Sequence, residues 1–167
     1  TPLYSSAASD VYKRQVATAP VFTATEGSIL VAEGADLTVN AAFFNSSNFT
    51  KGLGGNLTFA TRQFFNTGTN FFTVNGGIVT LAGGENTLWQ GAQGSGTSGQ
   101  NLAIGPGATL QLNGNSQMVG EIRSSNGATF AGSGGSILNS GADATLISVN
   151  ASAAWGGNIS AGTGSIF

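Results

Sequence analysis

The side chains able to do acid–base or metal chemistry are few and scattered. Beyond Gln15 the carboxylates are Glu26, Glu33, Asp36, Glu85, Glu121 and Asp143, and only Glu33 and Asp36 lie within a few residues of each other. Two carboxylates held close together can act as an acid and base pair. These two stand three residues apart just before Leu37 and read instead as the flanks of a turn. Histidine is absent, which removes the Ser-His-Asp arrangement, imidazole general-base catalysis and the commonest metal ligand. Cysteine is absent as well, so neither a disulfide framework nor a thiolate metal site can form. Gly134-Gly135 is not followed by the Gly-x-Asp of a stacked calcium turn, and Asp143 is isolated. The run Gly94-Ser95-Gly96-Thr97-Ser98-Gly99 has no Lys or helix start behind it to make a phosphate loop. No catalytic, cofactor-binding or metal-binding residue is expected, and the chain reads as a non-enzyme.

Binding chemistry is a second possibility. Phe43-Phe44, Phe64-Phe65 and Phe71-Phe72 are adjacent pairs. Neighbours on a strand point to opposite faces, so one member of each pair is expected in a core and the other outside or beneath a loop. An outward aromatic row would suit stacking on sugar rings, but core filling is the plainer expectation. Sequons occur at Asn45, Asn48, Asn56, Asn150 and Asn158, as they must in a chain so rich in Asn, Ser and Thr. Thr23-Ala24-Thr25 and Thr67-Gly68-Thr69 have the local form of an ice-binding array, but they do not recur with the repeat, so no threonine ladder is expected. The only basic residues are Lys13, Arg14, Lys51, Arg62 and Arg123, on a chain of net charge −2. They form no stripe that could neutralise phosphates, which argues against nucleic acid. No apolar run approaches the roughly 20 residues that span a bilayer.

The elements that must hold these residues are short strands. Charged residues make up 7% of the chain against a usual value of roughly 25%, and 27 of its 167 residues are Gly. With 40% hydrophobic residues and little net charge the chain should fold. Gly, Asn and β-branched residues disfavour helix and suit strands joined by tight corners. A pattern of large apolar, small polar, Val or Leu, then Asn occurs at Leu37-Thr38-Val39-Asn40, Phe72-Thr73-Val74-Asn75, Leu110-Gln111-Leu112-Asn113 and Ile147-Ser148-Val149-Asn150. Its steps are 35, 38 and 37 residues. The alternation marks a strand with one buried face, and the Asn tolerates a left-handed corner. Further strands are expected at Ile29-Leu30-Val31, Leu57-Thr58-Phe59, Ile78 to Leu81, Leu102-Ala103-Ile104 and Ile137-Leu138. Such short strands bury a face only by stacking rung on rung, and a period near 37 fits two coils of a parallel β-helix. Thr1 to Gln15 has a different texture. It resembles a translated sequencing-adapter read-through, known at the ends of metagenomic genes, and is set aside as a non-native or disordered tail. Residues 16–167 then form one solenoid region cut at both ends.

From Ile78 to Asn113 the wording becomes specific: IVTLAGGENTLWQG, then NLAIGPGATLQLNGN. This resembles the autotransporter-associated β-strand repeat, also called the passenger-associated transport repeat. Leu81, Gly83, Asn86, Thr87, Trp89 and Gly91 match its first half, and Gly107, Leu110 and Leu112 its second. A weaker copy carries Trp155, Gly156, Gly157 and Gly162 but lacks the Asn-Thr turn. The resemblance implies an all-β, right-handed parallel β-helix in the passenger of a surface or secreted bacterial protein. It also implies a C-terminal β-barrel translocator elsewhere in the full protein, and it brings no catalytic residues.

The expected function is a structural and adhesive stalk at the cell surface, outer-membrane-associated or secreted, with loops such as Asn40 to Gly55 and Gly91 to Gln100 displayed outward. A host surface or polysaccharide is the expected partner, and no cofactor is expected. The alternative is a carbohydrate-binding or polysaccharide-processing β-helix. Open solenoid ends need capping repeats, and neither end here reads as a cap. The isolated chain is therefore expected to aggregate or fray in size-exclusion chromatography, and a soluble monomer with one cooperative melt would count against the truncation.

Overall fold

The structure is a computed structural model that describes residues 14–16, 21–22, 26–45, 48–65, 71–89, 100–124, 134–142, 144–148, 156–160 and 165–166. All the regular structure among them is strand. A first pass of the chain lays down β1 (Arg14–Val16), β2 (Val21–Phe22) and β3 (Glu26–Leu30). The second lays down β4 (Asp36–Val39), β5 (Phe44–Asn45) and β6 (Asn48–Gly52). The third gives β7 (Asn56–Phe59), β8 (Gln63–Phe65) and β9 (Phe71–Val74), and the fourth β10 (Gly77–Leu81), β11 (Leu88–Trp89) and β12 (Gln100–Ile104). Then come β13 (Ala108–Gln111) and β14 (Gln117–Arg123), β15 (Ser136–Leu138) and β16 (Thr145–Ser148), and β17 (Asn158–Ser160) and β18 (Ser165–Ile166).

Each pass adds one strand to each of two or three parallel sheets. The first sheet runs β1-β4-β7-β10-β13-β15-β17, the second β2-β5-β8-β11, and the third β3-β6-β9-β12-β14-β16-β18. Every printed pairing is parallel and joins one pass to the next. The ladder takes in Arg14 and Gln15, which pair with Leu37 and Thr38. The five further strands expected from the alternation all fall within or across strands.

The repeat length differs from the sequence expectation. In the first sheet Leu37 faces Leu57, Leu57 faces Val79, Val79 faces Leu110 and Leu110 faces Ile137. The passes are thus 20, 22, 31 and 27 residues long, not half of 37. The four-residue pattern consequently falls in different sheets: Leu37 and Leu110 lie in the first, Phe72 and Ile147 in the third. Asn40 and Asn113 follow first-sheet strands and Asn75 a third-sheet strand, so they do not line one edge, while Asn150 lies outside the described residues. Of the three, only Asn113 is left-handed, at φ 55. The pattern marks any strand that buries alternate residues and ends at a corner, and corners of all three sheets meet that requirement.

Inward side chains stack in columns. Leu37, Leu57, Val79, Leu110 and Ile137 make one, and Val39, Phe59 and Leu81 make the next. They join a single core with Phe49, Phe72, Leu102 and Ile122 of the third sheet. Four rings tie the sheets together: Phe49 stacks on Phe72 at 6.0 Å, Phe59 meets Phe72 at 5.9 Å, and Phe43 meets Phe59 edge-on at 6.5 Å. The stretch expected to be displayed, Asn40 to Gly55, instead holds β5 and β6 and buries Phe49 and Lys51. The 90–99 stretch lies outside the described residues, and Gln100 opens β12.

Lys51 is the exception in the core. It stands between Ile29 and Val74 in an inward column and is 0% exposed. Its ammonium donates to the carbonyls of Leu53 at 2.7 Å and of Gly55 and Gly76 at 2.5 Å each. These acceptors lie in the corners between the third and first sheets on successive passes. A Cβ on Gly77 would sit 2.1 Å from the Gly55 carbonyl oxygen and 2.6 Å from the ammonium, so the corner closes only around glycine. Burial lowers the Lys51 pKa from its ordinary 10.5. Between that lowered value and 10.5 the unfolded chain holds a proton that the folded chain lacks, so stability rises with pH across that window. Lys51→Met keeps the apolar stem but leaves three carbonyls without their donor, and is expected to cost about 1–3 kcal/mol at pH 7. Urea melts at several pH values should also show the high-pH rise in stability diminished in that variant.

Candidate functional site

The acids do not converge. Glu33 and Asp36 flank the turn at Gly34 as expected, both exposed, and Asp36 Oδ1 accepts from Asn56 Nδ2 at 2.8 Å. Glu85 is exposed at another corner, where its Oε1 accepts from the Ser116 amide at 3.2 Å. Glu121 is buried and paired with Arg123. Asp143 lies outside the described residues, as do the two Thr-x-Thr stretches. Among the described residues no three His, Cys, Asp or Glu side chains come together as a metal site.

Two outer faces carry features that the sequence reading did not foresee. On the first sheet Thr38, Thr58 and Thr80 stand in register on three successive passes. This is a threonine ladder where none was expected, because the ladder follows the real passes of 20 and 22 residues. On the third sheet β12 and β14 slip in register between Gln100 and Leu102, so that Gly120 and Glu121 bulge opposite Asn101. Bulges bend a strand and re-aim its side chains. Here Glu121 bonds the Arg123 guanidinium, which lies 5.0 Å from the Phe71 ring centroid. Phe71 and Phe72 are both buried, against the expectation of one in and one out. The covered outer side of β9 removes the solvent that the alternation rule assumes.

The second sheet presents its aromatics differently. Phe43, Gln63 and Leu88 are buried on its inner side. One residue further on, Phe44 pairs with Phe64 and Phe64 with Trp89, so these positions share the opposite face. Trp89 is 38% exposed, the one aromatic among the exposed large hydrophobic residues described. Arg62, exposed, donates from Nη2 to the Glu85 carbonyl at 2.7 Å and holds its guanidinium carbon 5.3 Å from the Trp89 ring centroid. Such contacts contribute about 0.5–1 kcal/mol at exposed sites. Among the described residues Arg62 has no carboxylate within ion-pair distance.

Side-chain amides hold this sheet in place. The Gln63 carboxamide accepts from the Phe43 amide at 2.9 Å and donates to the Ala41 carbonyl at 3.2 Å, one pass back. Gln117 does the same for Leu88, accepting from its amide and donating to its carbonyl at 3.0 Å each. The second sheet ends at β11, and the Gln117 amide stands where a fifth strand would have bonded. The matched corner residues contribute beside it. Asn86, at φ 51, accepts from the Met118 amide at 2.7 Å, and buried Thr87 accepts from the Gly83 amide at 3.1 Å while donating to the Gly84 carbonyl at 2.7 Å. Gly91 and Trp155 lie outside the described residues.

Gln117→Ala orphans both backbone groups of Leu88, and is expected to lower stability by about 1–3 kcal/mol and to loosen Trp89. Chemical denaturation and acrylamide quenching of tryptophan fluorescence check the two effects.

Among known proteins, no family model, no curated protein and no solved structure matches this chain.

Proposed function

We propose that the chain is a stretch of right-handed parallel β-helix serving as a structural, adhesive stalk in the passenger of a bacterial autotransporter-like surface or secreted protein. The observation that carries this reading is the parallel pairing of every strand with its counterpart one pass later, around one core. Parallel crossovers are right-handed in about 98% of cases, which supports the handedness. Strand stacking on this plan makes a rod whose length grows by roughly 4.8 Å per pass. The local fit of Gly83, Asn86 and Thr87 to a tight corner supports the passenger-repeat resemblance of Ile78 to Asn113. No described pair of acids is arranged for acid–base work, so the enzymatic alternative has no observation in its favour. Among the described residues no helix is long and apolar enough to cross a membrane.

The test is display. The chain is placed between a signal peptide and a C-terminal β-barrel translocator, and surface exposure is read by protease accessibility on intact cells. The intact chain is expected to reach the surface as a protease-resistant passenger. Leu110→Asp, which buries a charge in the first-sheet column, is expected to be degraded before or during export. An intact chain that blocks export, or a Leu110→Asp variant exported as a resistant fragment, would sink the reading.

A further inference from the structure

The geometry points to a binding site for a carboxylated sugar on the outer face of the second sheet, with Trp89 as the stacking platform and Arg62 as the carboxylate clamp. This deepens the adhesive part of the function proposed above and rests on it. Trp89 and Phe64 are register partners on adjacent strands, about 4.8 Å apart along the stack. Together they form an aromatic surface wide enough for one pyranose ring. The platform lies at the end of its sheet, because Gln117 satisfies the backbone of Leu88 with a side chain and no further strand pairs with β11. Trp89 is fixed from within by buried Leu88 and stays more than a third exposed.

Arg62 supplies the polar half of the site. One of its nitrogens is tied to the Glu85 carbonyl and its guanidinium lies beside the indole, which settles its position in advance. A guanidinium carries five N–H donors in a planar fork that matches a carboxylate. The nearest acid along this corner, Glu85, spends a carboxylate oxygen on the Ser116 amide. Apolar C–H groups on one ring face and an equatorial carboxylate at its edge are what this pair of side chains complements, and a uronic acid offers both. A nucleic acid is a poorer fit, since a single exposed cation on an acidic chain gives little phosphate neutralisation.

Titration of the full chain with tetragalacturonate, a glucuronate-containing hyaluronan oligosaccharide and sialyllactose, followed by tryptophan fluorescence and calorimetry, tests the site. Methyl-esterified tetragalacturonate serves as the uncharged control. Wild type is expected to bind at least one carboxylated sugar, with the ester at least about tenfold weaker if tetragalacturonate is the sugar bound. Trp89→Ala is expected to lose binding by more than about tenfold. Arg62→Gln, a surface change that leaves the core untouched, is expected to lose the preference for the charged form. Failure of all three sugars to bind overturns the proposal, as does binding equally tight in wild type and Arg62→Gln. Display of the chain without sugar binding removes this site and leaves the stalk standing. Sugar binding by a chain that cannot be displayed does the reverse.

Discussion

Strands of two to seven residues cannot bury a face of their own, and that constraint governs the structure. Each strand gains its burial from the strands above and below it, in register and in the same direction. A Leu, Val or Ile at one position of one pass must therefore meet another at the matching position of the next. The Leu37, Leu57, Val79, Leu110 and Ile137 column is the result. The ring cluster of Phe43, Phe49, Phe59 and Phe72 extends the rule across sheets, because their side chains meet where the three inner faces converge.

The corners obey a different rule. There the backbone leaves the ladder, and its amides and carbonyls need partners that are not strands. Gln63, Gln117, Asn86 and Thr87 supply them with neutral side chains, each reaching into its own corner or one pass along. Lys51 supplies them with a buried cation, gathering carbonyls from corners of two successive passes. This explains how a chain with so few charges holds its coils together. Its polar connections are carboxamides and hydroxyls, and among the described residues one ion pair, Glu121 with Arg123, meets the ion-pair distance.

The same logic shapes the outer faces. The first sheet carries the threonine ladder, the third carries a bulge with its outer side covered at Phe71, and the second ends early with Trp89 exposed. The candidate binding face arises where the regular stack stops. Gln117 closes the backbone there and leaves the aromatic surface of the last strand uncovered by any further strand.

Much of this was legible in the residues. The alternation at Leu57-Thr58-Phe59 and Ile78 to Leu81 located strands because a period of two has one meaning wherever one face is buried. Glycine content, the missing histidine and the scattered acids bounded fold class and chemistry without reference to any contact. The pass length was not legible, since corners of unequal size between strands change the spacing while leaving the local pattern intact. That is why Leu37 and Phe72, alike in sequence, stand in different sheets. Nor could spacing reveal that Lys51 lies in the core or that Arg62 lies beside Trp89. The sequence by itself determined which residues form strands and corners, because those preferences act over neighbouring residues. Only the tertiary structure decided which strand stacks on which, because register depends on the summed length of every corner between them.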